Sequence, residues 1–359
     1  MRSIAIGGSE YVIEGEIGRG GMGIVLKARD LTLDRQVAVK LLQGAEQGGI
    51  NAELFRREGR MLAKLPPERG IVPVHAADEV WWDGRLRLCL VMGFIDGRSL
   101  ADLVDDPEPP PASALLAWCA QVCEALAVAH ERGVIHRDVK PSNVMISDGH
   151  AWLIDFGIAR TEGDRSSSTG HLIGTPPYMS PEQASNMPLT GLSDLYSVGV
   201  MLFELLTGEL PFQHQAPPRV PDGWASYLAT VCTAHPPSLT GGPWGLGAVL
   251  DSLLRRVGSG RPPFRDGTSA AKGLAAVAGS CRRAETGESM PLAPIRIADD
   301  LGSERVPAKG SVEIGAEFSY APDRLDSDPP AWASPTLSHD TYLDWQRKHR
   351  FRNRRPTGG

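Results

Sequence analysis

The sequence predicts an α+β chain of two lobes: a small antiparallel sheet carrying one main helix, followed by a larger lobe that is mostly helical. Between Tyr11 and Lys40 short apolar runs alternate with glycines, as in antiparallel strands joined by tight turns. From Ser113 onward the chain reads as mostly helical, broken by loops. Its longest apolar segments, Ala112 to Ala129 and Leu195 to Leu206, are interrupted by Gln121, Glu124 and Glu204, which suits buried helices rather than membrane spans. A length of 359 residues fits two lobes plus an extension better than one compact domain.

Composition narrows the function classes. Apolar residues make up 42% and charged residues 22%, enough for a full core under an ordinary soluble surface. The formal net charge of −6 argues against nucleic acid as the main partner, since a duplex binder needs a basic face. Five scattered cysteines, Cys89, Cys119, Cys123, Cys232 and Cys281, suit reduced thiols rather than a disulfide framework. Met1 to Gly8 holds no apolar run of leader length, and nothing after Val277 reads as a membrane span. The expected location is cytoplasmic.

In chain order, residues 1–10 read as an N-terminal extension and 11–280 as the folded domain. That domain divides into a small lobe over 11–92, a hinge over 93–97 and a large lobe over 98–280. Val12-Ile13 opens the first strand, Ile24-Val25-Leu26 forms the second, and Gln36 to Leu41 the third. Asn51 to Leu65 then switches to helical spacing, with Leu54, Met61, Leu62 and Leu65 on one face. Glu58 falls inside that stripe, and an inward carboxylate needs a partner. Arg85 to Ile95 reads as two further strand segments. Residues 281–359 are rich in Pro, Ser and Asp, end in a basic run from Arg347 to Arg355, and read as a tail of low order with short elements near Val312 to Phe318 and Tyr342 to Trp345.

Four motifs carry chemistry. Gly18-Arg19-Gly20-Gly21-Met22-Gly23 has G-x-G-x-x-G spacing, which a dinucleotide turn shares. Here a strand follows instead of a helix, so the glycines make a hairpin whose backbone N–H groups can close over phosphates; a plain hairpin turn stays open as the alternative. Val37-Ala38-Val39-Lys40 sets a lysine on the next strand. A half-exposed face would explain it, but the inward Glu58 offers a partner while Lys40 reaches α- and β-phosphates, with Val25 and Ala38 as apolar walls. His136-Arg137-Asp138-Val139-Lys140-Pro141-Ser142-Asn143 is the most specific stretch, and Asp155-Phe156-Gly157 follows twelve residues after Asn143.

On these motifs the sequence resembles the eukaryotic-type protein kinase family, most closely its bacterial serine/threonine members, from about Tyr11 to about Val277. The resemblance implies the two-lobed protein kinase fold, ATP with magnesium (manganese as a substitute), and protein acceptors. It implies that Asp138 orients the acceptor hydroxyl, that Asn143 and Asp155 hold the metal, and that Lys140 neutralises the γ-phosphate. Lys140 is the ground for preferring Ser/Thr acceptors. Ile17, Gly18, Gly20, Gly23, Val25, Ala38, Lys40, Met92, Phe94, Ile95 and Met145 would line the nucleotide site, Met92 as gatekeeper before a hinge that begins at Gly93. Asp155 to Glu182 resembles an activation segment, in which Ser180 stands where alanine is commoner. Arg137 beside Asp138 implies control by phosphorylation, with Ser168, Thr169 and Thr175 as regulatory positions and self-association for trans-autophosphorylation. Phe156, Gly157, Glu182 paired with Arg261, and Asp194 as anchor of the catalytic loop are the structural positions.

Weaker features have plain explanations. Cys119 and Cys123 lie four apart on a helix without a histidine cluster, so core thiols explain them better than a metal. His75, His130 and His171 have no partner legible in sequence. The basic end reads as a solvated charge run. Two other classes remain beside an active kinase. A pseudokinase scaffold would typically lack Lys40, Asp138 or Asp155, and a small-molecule kinase would lack the Pro-Glu end of the activation segment.

Overall fold

The computed structural model describes residues 2–20, 23–42, 52–157, 175–215, 223–255, 264–289, 292–298 and 304–305. Six strands form the small lobe: β1 (Ser3–Ile6), β2 (Ser9–Gly20), β3 (Gly23–Asp30), β4 (Arg35–Leu42), β5 (Val74–Trp82) and β6 (Arg85–Gly93), ordered β1-β2-β3-β4-β6-β5 with antiparallel neighbours. Strand alternation sends Ile24, Leu26 and Ala28 of β3, and Val37, Val39 and Leu41 of β4, to one face. The sheet curls round that face, so β1 pairs with β2 at one edge and also lies against β5 from the other. Ile4, Ile6, Tyr11, Val80 and Trp82 complete this inner core. Residues 1–10, expected as an extension, therefore contribute an integral strand. Its side chains pattern as exposed, buried, exposed, buried, too short a run to stand out in sequence.

The opposite face packs on α1 (Ala52–Leu62) through Phe55, Gly59 and Leu62. A Cβ on Gly59 would lie 2.3 Å from that of Ala77, so the helix approaches β5 as closely as it does only with glycine there. This buried stripe differs from the expected one. Met61 points outward, Leu54 is half-buried, and Leu65 is buried beyond the helix end. Arg85 to Ile95 likewise holds one strand, β6, which ends at Gly93, and its partner β5 lies upstream; Asp83 and Gly84, with φ of 50° and 74°, make the turn between them.

After the hinge come β7 (Arg98–Ser99), α2 (Leu100–Val104) and α3 (Ala112–Glu131), then β8 (Val144–Ser147) and β9 (His150–Leu153), which form a three-stranded sheet with β7. α4 (Pro181–Ala184), α5 (Gly191–Thr207), α6 (Gly223–Thr233), β10 (Ser238–Thr240), α7 (Leu246–Leu253) and α8 (Gly267–Glu285) follow. α5 is buried from Ser193 to Thr207, as expected for a helix apolar on all sides. α3 is the one helix among the described residues long and apolar enough to cross a membrane. Of its apolar window 67% is buried inside the protein, against α5 and α8.

The expected boundary at 280 falls inside α8. Beyond that helix, β11 (Arg296–Ala298) pairs with β10 and with β12 (Glu304–Arg305), and Ile295 and Ile297 are buried in the large-lobe core. The lobe thus holds residues past 280 because two isoleucines and a strand edge tie them down. The segments near Val312 and Tyr342 and the basic run lie outside the described residues.

Candidate active site

The loop between α3 and β8 is fixed from below by Asp194, in the first turn of α5. Its two carboxylate oxygens accept the backbone N–H groups of Arg137 and His136, both at 2.8 Å. His130 Nε2 lies 2.8 Å from the same carboxylate, a partner that the sequence did not reveal. Arg137 is thereby held at a φ of 68°, in the left-handed region, and Asp155 adopts 64°.

His136 is fully buried and links this loop to the segment after β9 that carries Asp155. Its Nδ1 accepts the Asp138 N–H at 3.2 Å, so Nε2 carries the proton and donates to the Ile154 carbonyl at 2.9 Å. Burial pushes its pKa below the ordinary imidazole value, which keeps this neutral tautomer. The ring packs on Phe156 with centroids 4.6 Å apart, and the Gly157 N–H donates to the His136 carbonyl at 3.1 Å. Phe156 and Gly157, expected as structural positions, are bound to the catalytic loop through this one histidine.

Asp138 is buried and sits among three polar neighbours. Asn143 Nδ2 donates to its carbonyl at 2.8 Å and to its Oδ2 at 3.2 Å. Lys140 Nζ lies 2.9 Å from Asp138 Oδ2 and donates to Thr175 Oγ1 at 2.7 Å; the Thr175 hydroxyl donates in turn to Asp138 Oδ1 at 3.0 Å. Thr175, expected at a regulatory position, bridges Asp138 and Lys140. Its place seven residues before Glu182, at the end of the segment resembling an activation segment, is the signal that could have located it.

Above them, Lys40 on β4 is buried, and its Nζ meets Asp155 Oδ1 at 2.6 Å. The expected Lys40–Glu58 pair is not formed. Glu58 Oε2 is buried without a hydrogen-bond partner among the described residues, and burial raises its pKa while the Arg137 charge lowers it. On the same helix Arg56, two residues before Glu58, pairs with Asp78 and Glu79 of β5 at 2.7 Å each, and Lys40 is already occupied by Asp155.

The glycine-rich segment is a β2–β3 hairpin, not a helix start. Gly20 pairs with Gly23, whose φ is 142° and whose added Cβ would fall 1.9 Å from the Leu41 carbonyl oxygen. Ile17 is half exposed at the rim. Register aligns Val25 with Lys40, and Ala38 with Met92, on the face toward the large lobe. Phe94 and Ile95 follow in the hinge, and Met145 on β8 is half-buried below. The hinge carries Gly93 because a Cβ there would stand 2.8 Å from Pro73 Cγ.

At the segment's end, the Tyr178 hydroxyl donates to buried Glu204 of α5, and Ser180 caps α4 through the Gln183 N–H at 3.2 Å. Glu182 accepts from Ser193 Oγ at 3.5 Å. Its expected partner Arg261 lies outside the described residues, as do Ser168 and Thr169. Cys119 and Cys123 are fully buried core thiols, their pKa values raised by burial.

The family model for the protein kinase domain matches residues 11–224, more than half of the chain. A probable serine/threonine-protein kinase of Corynebacterium efficiens is 42% identical over 212 residues, 58% of this chain and 32% of that protein. The serine/threonine-protein kinase PksC of Streptomyces coelicolor is 42% identical over 223 residues, 59% of this chain and 40% of its own length. The chain therefore spans about a third to two fifths of these curated relatives. Among solved structures, the PknI kinase domain of Mycobacterium tuberculosis is 25% identical with a TM-score of 0.54, covering 76% of this chain and 97% of that one.

Proposed function

The chain belongs to the protein kinase family, and on that footing we propose that it transfers the γ-phosphoryl group of ATP to serine and threonine hydroxyls of proteins. The observation that carries this reading is the triangle of Asp138, Lys140 and Thr175, within 2.7 to 3.0 Å of one another. A carboxylate and an ammonium facing one small pocket can orient an acceptor hydroxyl while neutralising the phosphoryl oxygens, which is most of what this chemistry requires.

The residues fit ATP and a divalent ion. The hairpin offers backbone N–H groups where side chains cannot intrude, Lys40 offers a cation, and Val25, Ala38 and Met92 offer apolar walls. Asn143 and Asp155 would be the oxygen donors for the metal. Among the described residues no cluster of three or more His, Cys, Asp or Glu side chains stands ready to hold an ion alone, so phosphate oxygens would share the coordination. When bound, magnesium, or manganese in its place, supplies charge neutralisation at the phosphates. With a metal and nucleotide in place, Asp155, now paired with Lys40, would be a metal ligand, and Lys40 would supply a cation for the phosphates. Asp138 accepts the hydroxyl proton at Oδ2 or Oδ1 as its bonds to Lys140 and Thr175 yield. His136 moves no proton; it holds Asp138 and Phe156 in register.

The unmade Lys40–Glu58 pair supports a further element of this reading, in which α1 must shift before full activity. Phosphorylation at Ser168 or Thr169, gathered by Arg137, is the proposed trigger, with a second copy of the chain as the phosphorylating partner. The domain is taken to occupy residues 2–305 and to work in the cytoplasm, a reading supported by five free cysteines.

The test is transfer of label from γ-labelled ATP with magnesium, to the chain itself and to a generic basic protein. Wild type should label both, and Asp138→Asn neither. Equal labelling by the two proteins, or none by wild type, would exclude the proposal; the second result with nucleotide binding intact would leave a pseudokinase.

A further inference from the structure

Lys27 and Phe94 meet at the outer edge of the nucleotide cleft. On β3, Ile24, Leu26 and Ala28 are buried inside the curled sheet, so alternation puts Val25 and Lys27 together on the cleft face. Register sets Lys27 opposite Ala38, and Ala38 opposite Met92. Phe94 comes two residues after Met92, in the hinge. Lys27 Nζ stands 4.4 Å from the centroid of the Phe94 ring, and both residues are half-buried. Among the described residues Lys27 makes no ion pair, so no carboxylate draws its ammonium elsewhere.

An ammonium over an aromatic face is attracted by the ring quadrupole, and its stem covers apolar surface that water would otherwise reach. The hinge is already held from behind. The Gly93 N–H donates to the Pro73 carbonyl at 2.9 Å, and Pro73 fills the space a Gly93 side chain would need. Lys27 supplies the matching hold from the front, and it reaches from the small-lobe sheet across to the connecting segment.

We propose that Lys27 is a positioning residue for the nucleotide: seated on Phe94, it fixes the hinge backbone at a set distance below the sheet that forms the roof of the adenine site. This rests on the reading that the cleft binds ATP. Lys27 lies two positions along β3 from Val25, away from the Asp138 triangle, so it acts on nucleotide affinity and not on the transfer step. Two side chains from different lobes' borders have to stay together for this to work, and the hinge amides report directly whether they do.

The experiment compares wild type, Lys27→Met and Lys27→Arg, full chain, by calorimetric titration with magnesium and a non-hydrolysable ATP analogue. Hydrogen exchange at the Phe94 to Asp96 amides is followed in the nucleotide-free protein, and KM and kcat are measured alongside. Lys27→Met should bind roughly two- to five-fold more weakly, the size of a half-exposed cation–π contact. Its KM should rise by the same factor with kcat unchanged, its hinge amides should exchange faster, and Lys27→Arg should restore all three. Wild-type affinity and exchange in Lys27→Met, or equal losses in the methionine and arginine variants, would overturn the proposal. A wild type that binds no nucleotide would refute the functional reading instead, and the exchange rates would still decide whether Lys27 holds the hinge.

Discussion

The carboxylate of Glu285, in the last turn of α8, hydrogen-bonds both the backbone N–H and the hydroxyl of Ser113 in the first turn of α3. The N-cap of α3 is Pro111, which has no side chain able to cap it, so Glu285, 172 positions from Ser113, does the capping. Replacing Glu285 with Ala should lower stability by ~1 kcal/mol, the usual value of a helix cap. Thermal unfolding should show a fall of a few degrees. A chain ending at 280 loses this contact together with Ile295 and Ile297, and should unfold at far lower temperature than one ending at 305.

Thr175 makes a sharper prediction about chemistry. Its hydroxyl accepts from Lys140 and donates to Asp138, and a valine of the same shape can do neither. Thr175→Val should reduce kcat by roughly ten- to a hundred-fold, the scale expected when a reacting group loses its orientation. KM for ATP should hardly move, because Lys40 and the hairpin are untouched. Thr175→Ser keeps the hydroxyl and should recover most of the rate. A drop in KM-controlled behaviour with kcat preserved would show that the bridge is not part of the transfer step.

These contacts divide what could be read from sequence. Asp138, Asn143, Asp155 and Asp194 were legible because fixed spacing ties them to loops whose geometry is nearly all backbone. Lys40 was legible by position, but its partner was not: its ammonium pairs with Asp155, 115 residues on, a tertiary contact with no sequence spacing of its own. β1 escaped because only two buried side chains mark it, and β5 because its run of Val74 to Trp82 includes Asp78 and Glu79, whose charges are matched only in three dimensions. His130 escaped for the same reason, its aspartate lying on another helix.

Glu58 gives a pH dependence. Burial raises its folded-state pKa above the unfolded value, so the folded chain holds the proton more tightly. The associated stability is present below the unfolded carboxyl pKa and is lost as pH rises through the folded one. Glu58→Gln removes the titration. In nucleotide-free protein it should therefore flatten a decline in melting temperature from acidic toward neutral pH, leaving the variant no less stable than wild type at pH 7. Activity should nonetheless fall if α1 must later bring Glu58 to Lys40. A steeper decline in the variant would mean that the carboxylate is already compensated in the resting protein.

The closed small lobe yields the last prediction. Ile4 and Ile6 are each 3% exposed and fill the inner core between β2, β3 and Trp82. Arg2 extends the seal, its guanidinium 4.4 Å from the Trp82 ring centre and paired with Asp83, while its carbonyl accepts the Ile13 N–H at 2.9 Å. Ile6→Ala should cost about 2–4 kcal/mol, the range for truncating a buried aliphatic side chain to alanine. The exposed neighbour Ala5 serves as control, and Ala5→Ser should be nearly neutral. Because β1 pairs directly with the strand that carries the glycine hairpin, Ile6→Ala should also loosen that hairpin, read as faster hydrogen exchange at Gly18 and Gly20. Denaturant unfolding with unchanged midpoint in Ile6→Ala would mean that β1 only rests on the lobe, and that β2 is held by β3 alone.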